Sequence, residues 1–192
     1  VSEFLTPTTL LRGALGAEGA ADEDPTPVKQ APELFDATGL EVTQHVARSQ
    51  DGTRVPYFQV GPAASAAGEA GQQPVPVMLD GYGGFEVSRL PGYAATIGAG
   101  WLEKGGTYVV ANIRGGGEYG PQWHTAALRE NRHRAYEDFV AVARDLVERG
   151  VTTPRMLACS GGSNGGLLVG NMLTQFPDDF AAVSCGVPLL DM

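Results

Sequence analysis

Cysteine is scarce: Cys159 and Cys185 are the two in this chain of 192 residues. So few exclude a disulfide framework, and both thiols are expected to be buried, the usual place for cysteine. No run of 18 apolar residues occurs, so no transmembrane helix is expected. Residues 1–20 lack a basic stretch followed by an apolar one. No secretory leader is read there, which favours a cytoplasmic location. Basic residues are outnumbered, with 13 Lys and Arg against 22 Asp and Glu and a formal net charge of −9. That balance speaks against nucleic acid as the main partner and against an anionic membrane surface. Histidine is represented only by His45, His124 and His133.

Glycine, by contrast, is abundant: 27 residues of 192, twice the usual ~7%. It has no three-residue period, so the chain is not collagen-like. It gathers at Gly81–Gly84, Gly115–Gly120 and Gly161–Gly166. Clustered glycine marks backbone at positive φ or backbone that something else approaches closely. The hydrophobic share of 43% excludes a wholly disordered chain. The length predicts one domain and a fragment of a second, enough to bury a sizeable core.

Residues 1–30 differ from the rest. Phe4–Leu10 reads as an extended edge segment marked by Pro7. Gly16–Pro27 reads as a flexible acidic linker and Gly61–Gln73 as a surface loop. Thr43–Ser49 and Arg54–Val60 are β-rich runs joined by Asp51-Gly52, a hairpin signal. Val75–Leu79, Thr107–Ile113, Arg155–Cys159 and Phe180–Cys185 are predicted strands. Leu90–Lys104, Arg134–Arg149 and Asn164–Gln175 are predicted helices. In the second of these, Tyr136, Phe139, Val140, Ala143, Leu146 and Val147 follow the spacing of one helical face. Strands alternating with helices after an initial hairpin predict an α/β fold: a mainly parallel sheet with helices on both faces.

The strand Arg155–Cys159 runs into Gly161-Gly162-Ser163-Asn164-Gly165. This is G-x-S-x-G between a strand and a helix, the context in which the motif presents a nucleophilic serine on a sharp, strained turn. The start of a helix favours negative charge. The backbone N–H of Asn164 is therefore a candidate donor to the oxyanion formed when Ser163 attacks a carbonyl. The plainer reading is a Gly-rich turn that binds nothing, or phosphate; a Walker loop is excluded, since no Gly-Lys-Ser/Thr follows. Gly115-Gly116-Gly117-Glu118-Tyr119-Gly120 matches G-x-G-x-x-G. The dinucleotide reading fails because Pro121 and a polar stretch follow it, and Glu137 and Asp138 lie within a helix. A nucleophilic serine needs a base, usually a histidine oriented by a carboxylate. In an α/β-hydrolase both follow the serine. Asp178, Asp179 and Asp191 follow Ser163, but no histidine does. The triad is thus expected to be incomplete within this chain, with His124 and His133 structural or at the surface.

With these motifs in hand, the sequence resembles the prolyl oligopeptidase family of serine peptidases. The resemblance is carried by Gly81-Tyr82-Gly83-Gly84-Phe85 and by the run Ala111–Gly120 with Trp123-His124. Tyr136-Glu137-Asp138-Phe139 and Gly161–Leu168 complete it. It covers residues 40–192, while the first 35 residues look like the end of a preceding β-propeller and linker. It implies an α/β-hydrolase catalytic domain over residues 36–192, incomplete at its C-terminus. It also implies a peptide substrate, hydrolysis through an acyl-enzyme on Ser163, and no cofactor or metal. Tyr82 then matches the second oxyanion donor, through its hydroxyl, and Phe85 an aromatic lining the pocket for the residue before the scissile bond. The family's Asp, His and remaining proline-pocket residues would lie beyond Met192, in the missing part of the domain, so the chain alone is expected to be inactive. An esterase or lipase of the same fold, or a catalytically dead binding remnant, are the competing readings.

Overall fold

The computed structural model describes residues 1–14, 25–63 and 73–191. Most of the expected acidic linker Gly16–Pro27 and surface loop Gly61–Gln73 lies outside the described residues. The first described strands are β1 (Thr9–Arg12) and β2 (Thr26–Gln30), an antiparallel ribbon. The expected edge segment Phe4–Leu10 therefore enters a strand only at Thr9. The main sheet contains β3 (Leu40–Arg48), β4 (Arg54–Pro62), β5 (Val77–Gly81), β6 (Thr107–Ala111), β7 (Leu157–Gly162) and β8 (Ala182–Gly186). Its order is β3-β4-β6-β5-β7-β8. The β3–β4 and β4–β6 pairs are antiparallel, and the other three are parallel. The β3–β4 hairpin closes at Asp51-Gly52. Gly52 takes φ +85° and Asp51 Oδ1 accepts the Thr53 N–H at 3.0 Å, a turn chemistry matched to these residues.

Helices α1 (Ala95–Gly100), α2 (Pro121–Thr125), α3 (His133–Glu148) and α4 (Asn164–Gln175) accompany the sheet. Strand periodicity divides the core between the two faces of the sheet. From β6, Val109 and Ala111 join Phe139, Leu146, Leu157, Leu168 and Met172 beneath α3 and α4. The alternate residues Tyr108 and Val110 pack on the opposite face with Val60, Leu102, Phe35 and Phe4. Every residue of β6 is buried, as expected for a central strand covered on both sides. The expected α/β-hydrolase arrangement, a mostly parallel sheet flanked by helices, is the observed one. Among the described residues, no helix is long and apolar enough to cross a membrane.

Several sequence expectations are corrected. The helix expected over Leu90–Lys104 shrinks to α1 and a separate 3-10 turn at Leu102–Lys104. Pro91 and Gly92 interrupt its first half, both poor helix formers. The strand expected from Arg155 starts at Leu157, because Pro154 opens a 3-10 turn over Pro154–Met156. Cys159 is buried, as expected, and burial first, with Cys185 second, pushes its thiol up to about 12. Cys185 is exposed instead. It lies on β8, an edge strand of the sheet, whose residues are mostly uncovered.

Candidate active site

Strand β7 ends at Gly162, Ser163 turns the chain, and α4 begins at Asn164. Ser163 adopts φ +56° and ψ −116°, a strained conformation for a residue with a side chain. Its backbone is held from both sides. The Ser163 N–H donates to Gly186 O at 2.9 Å, and its carbonyl accepts from Leu167 N at 3.1 Å and Leu189 N at 3.3 Å. The turn is this tight only because Gly161 has no side chain, since a Cβ there would lie 2.2 Å from Gly165 O. The half-buried Ser163 thus stands at the end of the parallel sheet, at the N-terminus of a helix.

The loop after β5 lies alongside. It carries Tyr82, Gly83 at φ +59°, Phe85 at φ +53° and Glu86 at φ +57°. The Asn164 side chain joins this loop to the serine turn: its Nδ2 donates to Tyr82 O at 2.6 Å. Arg132, just before α3, donates from one guanidinium nitrogen to Gly83 O and from the other to Asn164 Oδ1 at 3.2 Å. Phe85 is 68% exposed. With His124, Leu128, Leu167 and Asn164 it lines an open recess of about 380 Å³.

The loop after β6 closes the third side. Glu86 N donates to Gly115 O at 3.2 Å, and Gly115 N donates to Trp123 O at 3.0 Å. His124 Nδ1 lies 2.7 Å from Gly115 O and 3.1 Å from Glu86 N. One ring nitrogen cannot donate to the first and accept from the second. The shorter contact assigns the proton to Nδ1, donating to Gly115 O. Below the loop, Arg114 makes a bidentate pair with Asp138 of α3, at 2.9 and 2.6 Å, and reaches Asp51 of the hairpin at 2.6 Å. The Arg114 guanidinium, aided by Thr53, holds the Asp51 carboxyl well below the usual carboxylate range.

The structure therefore brings Ser163, Asn164, Tyr82 and Phe85 to one end of the sheet. It does not join a histidine to the serine. Among the described residues, no hydrogen bond links Ser163 to His45, His124 or His133. His133 Nδ1 faces Glu130 O at 3.0 Å, and His45 Nε2 is 2.8 Å from Thr43 Oγ1. No group of three or more His, Cys, Asp or Glu able to hold a metal occurs among the described residues. Sequence reasoning missed Arg132 and the Arg114–Asp138 pair. Asp138 left a signal, a carboxylate on the apolar stripe of α3, which requires a buried partner. Arg132 left none.

Residues 96–192 match the model of the prolyl oligopeptidase family. The chain belongs to that family. It is 49% identical over 189 residues to an uncharacterized peptidase of Sinorhizobium fredii, covering 98% of this chain and 25% of that protein. It is 35% identical over 192 residues to a prolyl endopeptidase of Elizabethkingia miricola, covering 100% of this chain and 26% of that one. The solved structure of a post-proline cleaving enzyme from Rickettsia typhi matches with a TM-score of 0.85 at 37% identity, covering 100% of this chain and 26% of that one. This member of the prolyl oligopeptidase family thus spans about a quarter of the length of the relatives it matches.

Proposed function

We propose that the full protein is a serine peptidase that hydrolyses peptide bonds through an acyl-enzyme on Ser163, with a preference for cleavage after proline. The observation that carries this reading is Ser163 at φ +56° between β7 and α4, tied through Asn164 to the Tyr82 loop. Ser163 Oγ attacks the peptide carbonyl, and its proton passes to a histidine and then to the leaving amine. In this reading the oxyanion is met by the Asn164 backbone N–H and the Tyr82 hydroxyl. Water then cleaves the ester and releases the acid. Phe85 lines the pocket for the residue preceding the scissile bond. The acid and the base come from beyond Met192, and residues 1–35 end a β-propeller. The domain that contains the site is an α/β-hydrolase domain over residues 36–192 and onward.

The test is hydrolysis of a proline-containing peptide by the full-length protein and its Ser163→Ala variant. The variant is expected to lose essentially all turnover while still binding peptide. Undiminished turnover by Ser163→Ala would overturn the assignment. Substantial Ser163-dependent turnover by the isolated 192-residue chain would overturn the placement of the base outside it.

A further inference from the structure

We propose that Arg132 is a positioning residue that sets the geometry of the oxyanion site, which rests on the roles given to Ser163, Asn164 and Tyr82. Its guanidinium bridges Gly83 O and Asn164 Oδ1, and Asn164 Nδ2 in turn holds Tyr82 O. Two consecutive carbonyls of the loop after β5 are therefore gripped from outside the loop. Fixing both oxygens fixes the two peptide planes on either side of Gly83. Left to itself, the Gly83-Gly84 stretch that follows Tyr82 has wide backbone freedom, with Gly83 at φ +59°. The direction of the Tyr82 side chain follows from that backbone.

The residue type fits the task. A guanidinium is a planar fork that serves two acceptors at a set angle, whereas a lysine ammonium is a flexible point charge. The fork is itself backed by the Tyr136 ring of α3, 5.4 Å from its centroid. A Cβ on Gly115 would lie 3.2 Å from the Arg132 Nη1, so the absent side chain in the loop after β6 leaves room for the guanidinium. Among the described residues, no carboxylate lies within ion-pair distance of Arg132; the pairs formed involve Arg89, Arg114 and Arg144. A half-buried cation spent on a carbonyl and an amide oxygen is a poor choice for simple stability. It is a good one beside a place where negative charge develops.

The experiment is a double-mutant cycle in the full-length protein. Arg132→Met and Arg132→Lys are each combined with Tyr82→Phe, and kcat and KM are measured on a proline-containing peptide. Binding of a peptide aldehyde, which forms a tetrahedral adduct on Ser163, is compared with binding of the uncleaved peptide in a Ser163→Ala background. Arg132→Met is expected to lower kcat by ~10–100-fold with KM changed less than about 2-fold. It should weaken the aldehyde by a similar factor and leave peptide binding to the Ser163→Ala form unchanged. Tyr82→Phe should cost clearly less in the Arg132→Met background than in the wild type, with Arg132→Lys intermediate. Additive losses, or equal weakening of aldehyde and uncleaved peptide, would overturn the positioning role. So would wild-type kcat in Arg132→Met when Ser163→Ala is inactive. If Arg132→Met does not melt cooperatively, Arg132→Lys carries the same cycle under the same criteria. Full turnover by Ser163→Ala would instead remove the nucleophile on which the proposal rests, and the proposal with it.

Discussion

Two glycine-rich segments stand on either side of the loop after β5, one after β6 and one after β7, and Gly161 and Gly115 make room for different neighbours. After β7, the missing side chain makes room for the segment's own helix, since a Cβ on Gly161 would meet Gly165 O at 2.2 Å. After β6, the space is taken by a different segment. A Cβ on Gly115 would meet Gly83 O at 2.3 Å, and one on Gly117 would meet Glu86 O at 2.2 Å. The first segment concentrates strain on one residue, Ser163. The second is a wall that lets the Tyr82 loop approach. Similar composition therefore marks a strained serine turn in one place and a support in the other, and only the neighbouring backbone distinguishes them.

The comparison can be broken at either segment. The largest effect belongs to the β7 side: Ser163→Ala should lower kcat of the full protein by on the order of 10^6-fold, with melting temperature unchanged. A small loss would show that the strained serine is not the nucleophile. Next comes the anchor of the β6 side. Asp138→Ala leaves Arg114, whose side chain is 5% exposed, without its buried carboxylate. It should cost about 3–5 kcal/mol in denaturant unfolding. A cost below about 1 kcal/mol would mean that the loop after β6 is not held by this pair. Gly115→Ala should cost about 2 kcal/mol, since Ala is strained at φ +95° and strikes Gly83 O. If the loop is a wall for the oxyanion donors, kcat should fall about 10-fold as well. A loss of stability with kcat intact would make it a wall for the fold alone.

A smaller effect is acid sensitivity. Asp51 has its folded pKa depressed, chiefly by Arg114, relative to the unfolded carboxyl near ~3.9. The unfolded chain therefore binds the proton more readily in the window below that value. The stabilisation is fully present above about pH 4 and is lost as pH falls through the lower folded pKa. Asp51→Asn should flatten the acid limb of the stability profile without changing activity at neutral pH. An unchanged acid limb would remove Asp51 from the support. The smallest effect is chemical. In the native 192-residue chain, an alkylating reagent near pH 8 should label the exposed Cys185 quickly and Cys159 only after unfolding. Equal labelling of both would mean that β7 is more open than its packing implies.

Much of this was legible beforehand because it depends on local pattern. The three- and four-residue spacing of apolar side chains in α3, the Asp51-Gly52 turn and the continuous apolar run of β6 each reflect the period or dihedrals of one element. The serine turn was legible because its glycines, strand and helix are adjacent in sequence. The failures share another physical cause. Cys185 reads as core from its residue type, but exposure depends on what covers β8. Arg132 reads as one more cation before a helix, because its acceptors lie 49 and 32 residues away in the chain. The Arg114–Asp138 contact spans 24 residues and could be suspected only from the misplaced polarity of Asp138.

The sequence by itself determined where the chain must turn and which serine carries the strain, since steric limits on φ and ψ act within a few residues. It also determined that glycine would concentrate around those turns. The tertiary structure alone decided which loops meet. The parallel order β6-β5-β7 brings the three segments following these strands to the same end of the sheet. Hydrogen bonds of about 3 Å then join groups that no local rule could pair, because their contact is set by strand order and helix packing rather than by spacing along the chain.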